Sequence, residues 1–498
     1  MKPVALFAGS SLAFLVLASI PVACVSSNAS PNEDSGAPPG QDGAPPSEDA
    51  APSGSDATLP DAGTDAPEKD SATEDAGPQP LTVHVLLGLA PESGVLVVFQ
   101  DASGAVVSSA TTDATGSVSQ LVTAGSQVTV ALGTTLAPRL VTIQAVEPGD
   151  VLTLVDTPPA STLAENVNVT LPAPTWDASG ATEYVYAAQC GTSAGSPVYV
   201  NPDCQLNGQF PLLAYAQASG GQELAYTYQT GNALLEDGGT DAITVTRPWA
   251  TSSVVEQLTT SSLPAGITGD VQFTYDEVSG GVATARQAVQ DTTDDAGVLT
   301  SAFTVHSGFA DFQQSELFAY VGGDSNSLSG VVGAIRSAPT SASEVTAFDG
   351  ALLPLITAAN VDSTDAGTTA QPAVTWTSAG SLSSATGIIV NLQWYFSPTD
   401  GGDQYVNGNW TLVAPPTATS ISAPAMPASA SAWVPYAGSY YSEPPQFAAV
   451  AGSLVPTYAT VRAGVGAVSL YAAGYSATPP LLPANGSLIA TVFYPDEG

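Results

Sequence analysis

From Leu81 to the C-terminus, runs rich in Val, Thr, Ile, Tyr and Phe are broken by clusters of Gly, Pro and Asp. The breaks recur roughly every 8–12 residues, the spacing of short strands joined by tight turns. β-Branched and aromatic residues suit a pleated, half-buried surface, whereas Gly, Pro and Asp suit turns. The pattern predicts an all-β chain made of several β-sandwiches. Only short pieces, such as Val254–Leu258 and Gln222–Tyr228, leave helix open.

The clearest stretch begins at Leu81. Strands are expected at Leu81–Leu87, Val95–Gln100, Ala105–Ala110, Ser117–Val122, Gln127–Ala131, Leu140–Ala145, Val151–Val155 and Asn166–Leu171. Asp101-Ala102-Ser103-Gly104 and Thr112-Asp113-Ala114-Thr115-Gly116 supply turns, with glycine where a tight hairpin needs positive φ. The order of a valine run at Val95–Val98, Asp101…Gly104, Thr112-Asp113…Gly116 and Thr123-Ala124-Gly125-Ser126 resembles the carboxypeptidase regulatory-like, prealbumin-like sandwich. The likeness covers about 50 residues and implies a fold that serves as a spacer or accessory domain. Further on, Pro174-Thr175-Trp176 and Pro372-Ala373-Val374-Thr375-Trp376 each lead into a strand. These openings resemble the start of a fibronectin III-like or immunoglobulin-like unit. The expected domains are 81–172, 173–260 (with a disulfide loop), 261–370 and 371–498.

The N-terminus has one basic residue, Lys2, and then an uncharged apolar run from Val4 to Ile20, the pattern of an export signal. Val22-Ala23-Cys24 follows, and the junction resembles the lipobox of bacterial lipoproteins, with Pro21 where that family usually has Leu. The resemblance implies cleavage of 1–23, a diacylglyceryl group on the Cys24 thiol and acylation of the new N-terminus. Val25, rather than Asp, after the cysteine implies the outer membrane or cell surface. Two other readings stand beside it: an ordinary signal cut after Ala29, giving a secreted or periplasmic protein, and an uncleaved span from Val4 to Val25.

Residues 24–80 carry no hydrophobic periodicity and repeat Gly-Ala-Pro-Pro and Asp-Ala units with a single Lys69. Such a stretch cannot bury enough apolar surface to offset its ordering entropy, so a disordered acidic tether is expected. As a flexible coil it would span roughly 40 Å.

The chain has 7 Lys and Arg against 45 Asp and Glu, a formal net charge of -38. Beyond the tether the cations are Arg139, Arg247, Arg286, Arg336 and Arg462. Nucleic acid is excluded as a partner, because phosphate binding needs clustered cations. Anionic lipid headgroups are disfavoured for the same reason. Cys190 and Cys204 are the cysteines left after Cys24. In an exported chain this close pair predicts a disulfide, worth about 3 kcal/mol in the loop-entropy picture.

Three constellations could carry chemistry. Gly191-Thr192-Ser193-Ala194-Gly195 has the nucleophile-elbow spacing, with His306 as the available base and Asp311 nearby. Ser196-Pro197-Val198 follows the motif where an elbow needs a helix, and His306 also reads as an ordinary strand-end histidine. Asp291, Asp294 and Asp295 could offer oxygens to Ca²⁺, although Asp-Gly runs mostly form turns. Trp433, Tyr436, Tyr440 and Tyr441 lie in a loop-like run and could stack on sugars, whereas Trp394 alternates with Leu392 and Phe396 as core. No cofactor is expected.

The reading is a non-catalytic surface protein, joined to a membrane through its lipid and serving a structural, adhesive or binding role. Its partner would be a polysaccharide or another surface protein. A carbohydrate-binding lipoprotein is the first alternative, and an exported hydrolase the second.

Overall fold

The computed structural model describes residues 79–495 apart from 88–89, 157–164, 189–190, 201–208, 220, 234–239, 252–253, 261–269, 280–281, 293–298, 322–326, 339–344, 348–352, 363–370, 397–405, 436–438, 442–444, 465–482 and 484. Among the described residues there are thirty β-strands and one short α-helix. The chain is all-β, and its strands fall into six sheets.

The first lobe holds β1 (Leu81–Leu87), β2 (Ala90–Pro91), β3 (Leu96–Gln100), β4 (Val106–Thr111), β5 (Ser117–Gln120), β6 (Ser126–Gly133), β7 (Pro138–Val146) and β8 (Val151–Asp156). Strand alternation puts Leu81, Val83 and Val85 of β1 fully inside. β1 pairs with β2 and β5 antiparallel and with β8 parallel. This sheet covers one face of β4-β3-β6-β7, closing a sandwich around Phe99, Val128, Val130 and Ile143. Asp101 and Asp113 make the same turn. Each carboxylate accepts from the amides two and four residues on, at 2.8–3.1 Å. Gly116 closes the second turn at φ 71°, and a Cβ there would sit 2.5 Å from the Val85 carbonyl.

The second lobe is built from β9 (Glu165–Thr170), β10 (Ala181–Ala188), β11 (Gly191–Ala194), β12 (Val198–Val200), β13 (Gln209–Ala218), β14 (Glu223–Ala233) and β15 (Thr240–Thr244). The sheet β12-β9-β15 packs on β11-β10-β13-β14 through Val167, Tyr186, Phe210, Leu212 and Ile243. The third lobe holds β16 (Val254–Thr260), β17 (Asp270–Ser279), β18 (Val282–Thr292), β19 (Leu299–Val305), β20 (Phe312–Val321), β21 (Ser327–Ser337) and β22 (Val345–Ala347). Its sheet β19-β16-β22 contacts β17 where Phe303 stacks on Tyr275 at 5.5 Å.

The C-terminal lobe comprises β23 (Ile356–Asp362), β24 (Ala373–Ser378), β25 (Gly387–Phe396), β26 (Val406–Ala414), β27 (Ser420–Ser422), β28 (Tyr440–Tyr441), β29 (Gln446–Ala451), α1 (Tyr458–Ala463) and β30 (Gly486–Pro495). Ile388, Val390 and Leu392 of β25 face β23-β24-β27, while Ile389 faces the core shared with the first lobe.

The lobes are not beads on a string. One thirteen-stranded sheet runs through three of them in the order β18-β17-β20-β21-β30-β29-β25-β26-β7-β6-β3-β4, with β28 attached to β25. The parallel pairing of β7 with β26 stitches the first lobe to the last.

Pairing also moves strands across the expected boundaries at 172, 260 and 370. β9 pairs with β12 and β15, β16 with β19 and β22, and β23 with β24. Local hydropathy marks a strand but not its partner. Val254–Thr260 and Glu223–Ala233 are strands rather than helices, because each is paired along its length with a long neighbour.

Candidate functional site

Among the described residues, ionisable and aromatic groups converge on His306, which follows directly on β19 and is 1% exposed. Phe303 and Val305 are buried as strand alternation expects, and His306 is buried as well. The outer face of the β13–β14 pair, from the second lobe, covers it. Tyr215 stacks on the imidazole at 6.1 Å, and Tyr226 meets it edge-on at 4.8 Å.

Both ring nitrogens face carboxylates. Glu277 of β17 takes Nδ1 with one oxygen and accepts the His306 backbone amide with the other, at 2.7 Å. Glu223, the first residue of β14, meets Nε2 at 3.0 and 3.1 Å. A ring with an ionised carboxylate on each nitrogen must donate from both, which makes it an imidazolium. Burial by itself favours the neutral ring. The Glu277 charge, the hydrogen bonds to both carboxylates and the Glu223 charge outweigh it, raising the pKa to about 10.

The turn after His306 completes the arrangement. The Phe309 amide donates to the His306 carbonyl at 3.1 Å, and Gly308 takes φ 77°, as the third position of a type II turn requires. Tyr226 Oη donates to the Ser307 carbonyl at 3.1 Å, and Tyr228 Oη donates to the Gly308 carbonyl. Phe309 packs against Tyr228, with Ala187 and Leu213 in the same cluster. Arg247 lies 4.0 Å from the centroid of the Tyr228 ring.

This geometry binds the candidate base of the hydrolase reading on both sides with carboxylates. Ser193 lies in β11 opposite Tyr186, so the Gly191–Ala194 stretch is a strand and not an elbow before a helix. Asp311 donates its amide to the Val278 carbonyl at 2.7 Å.

Of the aromatic candidates, Trp433 lies in a turn and packs half-buried against the core of the C-terminal lobe. Tyr440 and Tyr441 form β28, paired with Tyr395 and Trp394. Trp394 is core, as its alternation predicts. Asp291 pairs with Val271 in the β17–β18 ladder. Among the described residues, no group of three or more His, Cys, Asp or Glu is placed to hold a metal ion. Cys24, Cys190, Cys204, Asp294, Asp295 and Tyr436 lie outside the described residues, as do residues 1–78.

The sequence reading passed over Glu223 and Glu277. Glu277 had a signal: it follows Val271, Phe273 and Tyr275 at every second position, a carboxylate in core register. Glu223 had none, because its role depends on an inter-lobe contact.

No family model matches the chain. No curated protein matches it either. Among solved structures, the Bacillus anthracis TIE protein aligns at 10% identity over 54% of this chain and 49% of that one, with a TM-score of 0.14. The chain thus spans about half the length of that structure. A Streptococcal ancillary pilin aligns at 11% identity over 54% of this chain and 97% of its own, with a TM-score of 0.15. The major pilin subunit of Bacillus cereus aligns at 8% identity over 54% and 98%, with a TM-score of 0.12. Likeness at this level bears on neither fold nor function.

Proposed function

We propose that this chain is an exported, non-catalytic surface protein, attached to a membrane through a lipid on Cys24 and set off from it by the acidic segment 24–80. Its lobes form a stiff structural or adhesive body, and the first of them is a spacer sandwich of the regulatory-like type. The observation that carries the non-catalytic part is the state of His306. A general base needs a free ring nitrogen within reach of its substrate. Here both are held by carboxylates, and the ring is sealed under Tyr215 and Tyr226. The run of small residues ending in Cys24, and the charge of -38 with almost no cations, support the exported, anchored part.

The anchor is tested in cells by blocking lipoprotein signal processing with globomycin and by labelling with an alkyne fatty acid. The expected result is a labelled mature protein, an unprocessed precursor under globomycin, and loss of label in Cys24→Ala. An unlabelled protein free in the medium would overturn the anchor. Export would then stand, with an ordinary signal cut after Ala29.

A further inference from the structure

We infer that the turn His306–Phe309 is a latch that fastens the third lobe to the second, closed by the buried imidazolium of His306 between one carboxylate from each lobe. The parts come from both sides of the joint. The third lobe contributes His306, Glu277 and the turn, and the second contributes Glu223, Tyr215, Tyr226 and Tyr228. Two tyrosine hydroxyls from β14 hold successive carbonyls of the turn, and Phe309, 3% exposed, fills the cluster behind it. Neither lobe alone could bury these groups. An isolated Glu277–His306 pair would face water, and Glu223 would be an ordinary surface carboxylate.

The groups facing the imidazolium are Glu277 from β17, Glu223 and Tyr226 from β14, and Tyr215 from β13. Arg247 stands further off, over Tyr228. With the latch closed the ring titrates near 10, against an ordinary value of 6.5. A raised pKa in the closed form means that closure binds a proton more tightly. The latch is therefore at full strength below pH 6.5 and weakens as pH rises toward and through 10. Tyr215 and Tyr226 change nothing in that direction: burial raises both phenols, so they too are released on the alkaline side.

Chymotrypsin cleavage after Phe309 in the full chain tests the proposal, with each rate divided by that of a free peptide spanning 303–313. Wild type should be protected at pH 8, and that protection should fall at least about tenfold by pH 10. Glu223→Gln should cut the protection at pH 8 about tenfold, and Tyr226→Phe with Tyr228→Phe should do the same. In both variants cleavage after Phe99, inside the first lobe, should stay at the wild-type rate. Should His306→Gln fail to fold, the Glu223 and tyrosine variants still decide, because they leave the third lobe's own core intact. Unchanged protection of Phe309 in both would overturn the latch. So would loss of protection at Phe99 and Phe309 together, which would mean opening only by global unfolding.

Discussion

At the joint between the first and C-terminal lobes, β7 and β26 pair in parallel from Arg139↔Asn409 to Ile143↔Val413, and one apolar core fills the space around them. At the joint between the second and third lobes, side chains make the connection: a histidine, two glutamates, three tyrosines and a four-residue turn. The first joint is a sheet ladder over buried Val, Leu and Ile, with little to titrate at its centre. Arg139, at one end of the ladder, pairs with Asp156, and further charge sits at the rim. There Arg462 of α1 holds Asp150 at 2.9 Å and the Ala145 carbonyl, and Tyr458 donates to the Gln144 carbonyl at 2.7 Å. The second joint has charge at its centre. A backbone joint should therefore fail only with the whole body, whereas a side-chain joint can open by itself and should respond to pH.

Trp410 gives the largest expected effect. It is 1% exposed on β26, and its Nε1 donates to Thr142 Oγ1 of β7 at 2.9 Å. Trp410→Ala should cost about 3–5 kcal/mol in urea unfolding, through lost area and a cavity. The loss should appear at every probe in the shared sheet. A loss confined to β26 would mean that β7 and β26 do not form one cooperative unit.

His306→Gln comes next, at about 3 kcal/mol, because the buried Glu277 and the partly buried Glu223 are left without their counter-charge. Here amide exchange should quicken in β14 and in the turn His306–Phe309 while β3 and β6 keep wild-type protection. Equal quickening in all four would erase the contrast between the joints.

Alkaline titration of the wild type separates the joints without mutation. Folded His306 has a raised pKa, so its contribution is complete below 6.5 and is lost as pH climbs through about 10. Exchange in the turn should rise over that range, after correction for the intrinsic pH dependence, before exchange in β26 does. The smallest effect is that of Tyr228→Phe, which removes one hydroxyl-to-carbonyl bond and should cost about 1 kcal/mol. The sensitive readout is cleavage after Phe309 rather than the urea midpoint.

In the first lobe the expected strands from Leu81 to Val155 all have counterparts, most with shifted ends, and β2 was not expected. Leu81–Leu87 is bounded as its alternation predicts, and the Asp101 and Asp113 turns stand where their Asp-Ala-x-Gly runs place them. Those features are local, set by side-chain period and by an Asp that satisfies its own turn's amides. What the sequence hid is non-local. Nothing in Glu165–Thr170 says that its partners lie at Val198–Val200 and Thr240–Thr244. Nothing around His306 says that a sheet more than 80 residues upstream covers it, as the bond to Glu223 shows. Trp433 stands in a turn, as its Pro- and Gly-rich neighbours suggest, and one side of its half-buried ring packs on Phe447's core.

Nitrogen NMR of the imidazole decides whether His306 is a fixed cation of the fold or a base. The shifts of both ring nitrogens, followed from pH 6 to pH 11 and assigned by comparison with His84→Gln, report the protonation state. His306 should keep protons on both nitrogens at pH 8 and titrate near 10. A neutral ring at pH 8 with a midpoint close to 6.5 would contradict it, and would return His306 to the list of groups able to take a proton from a substrate.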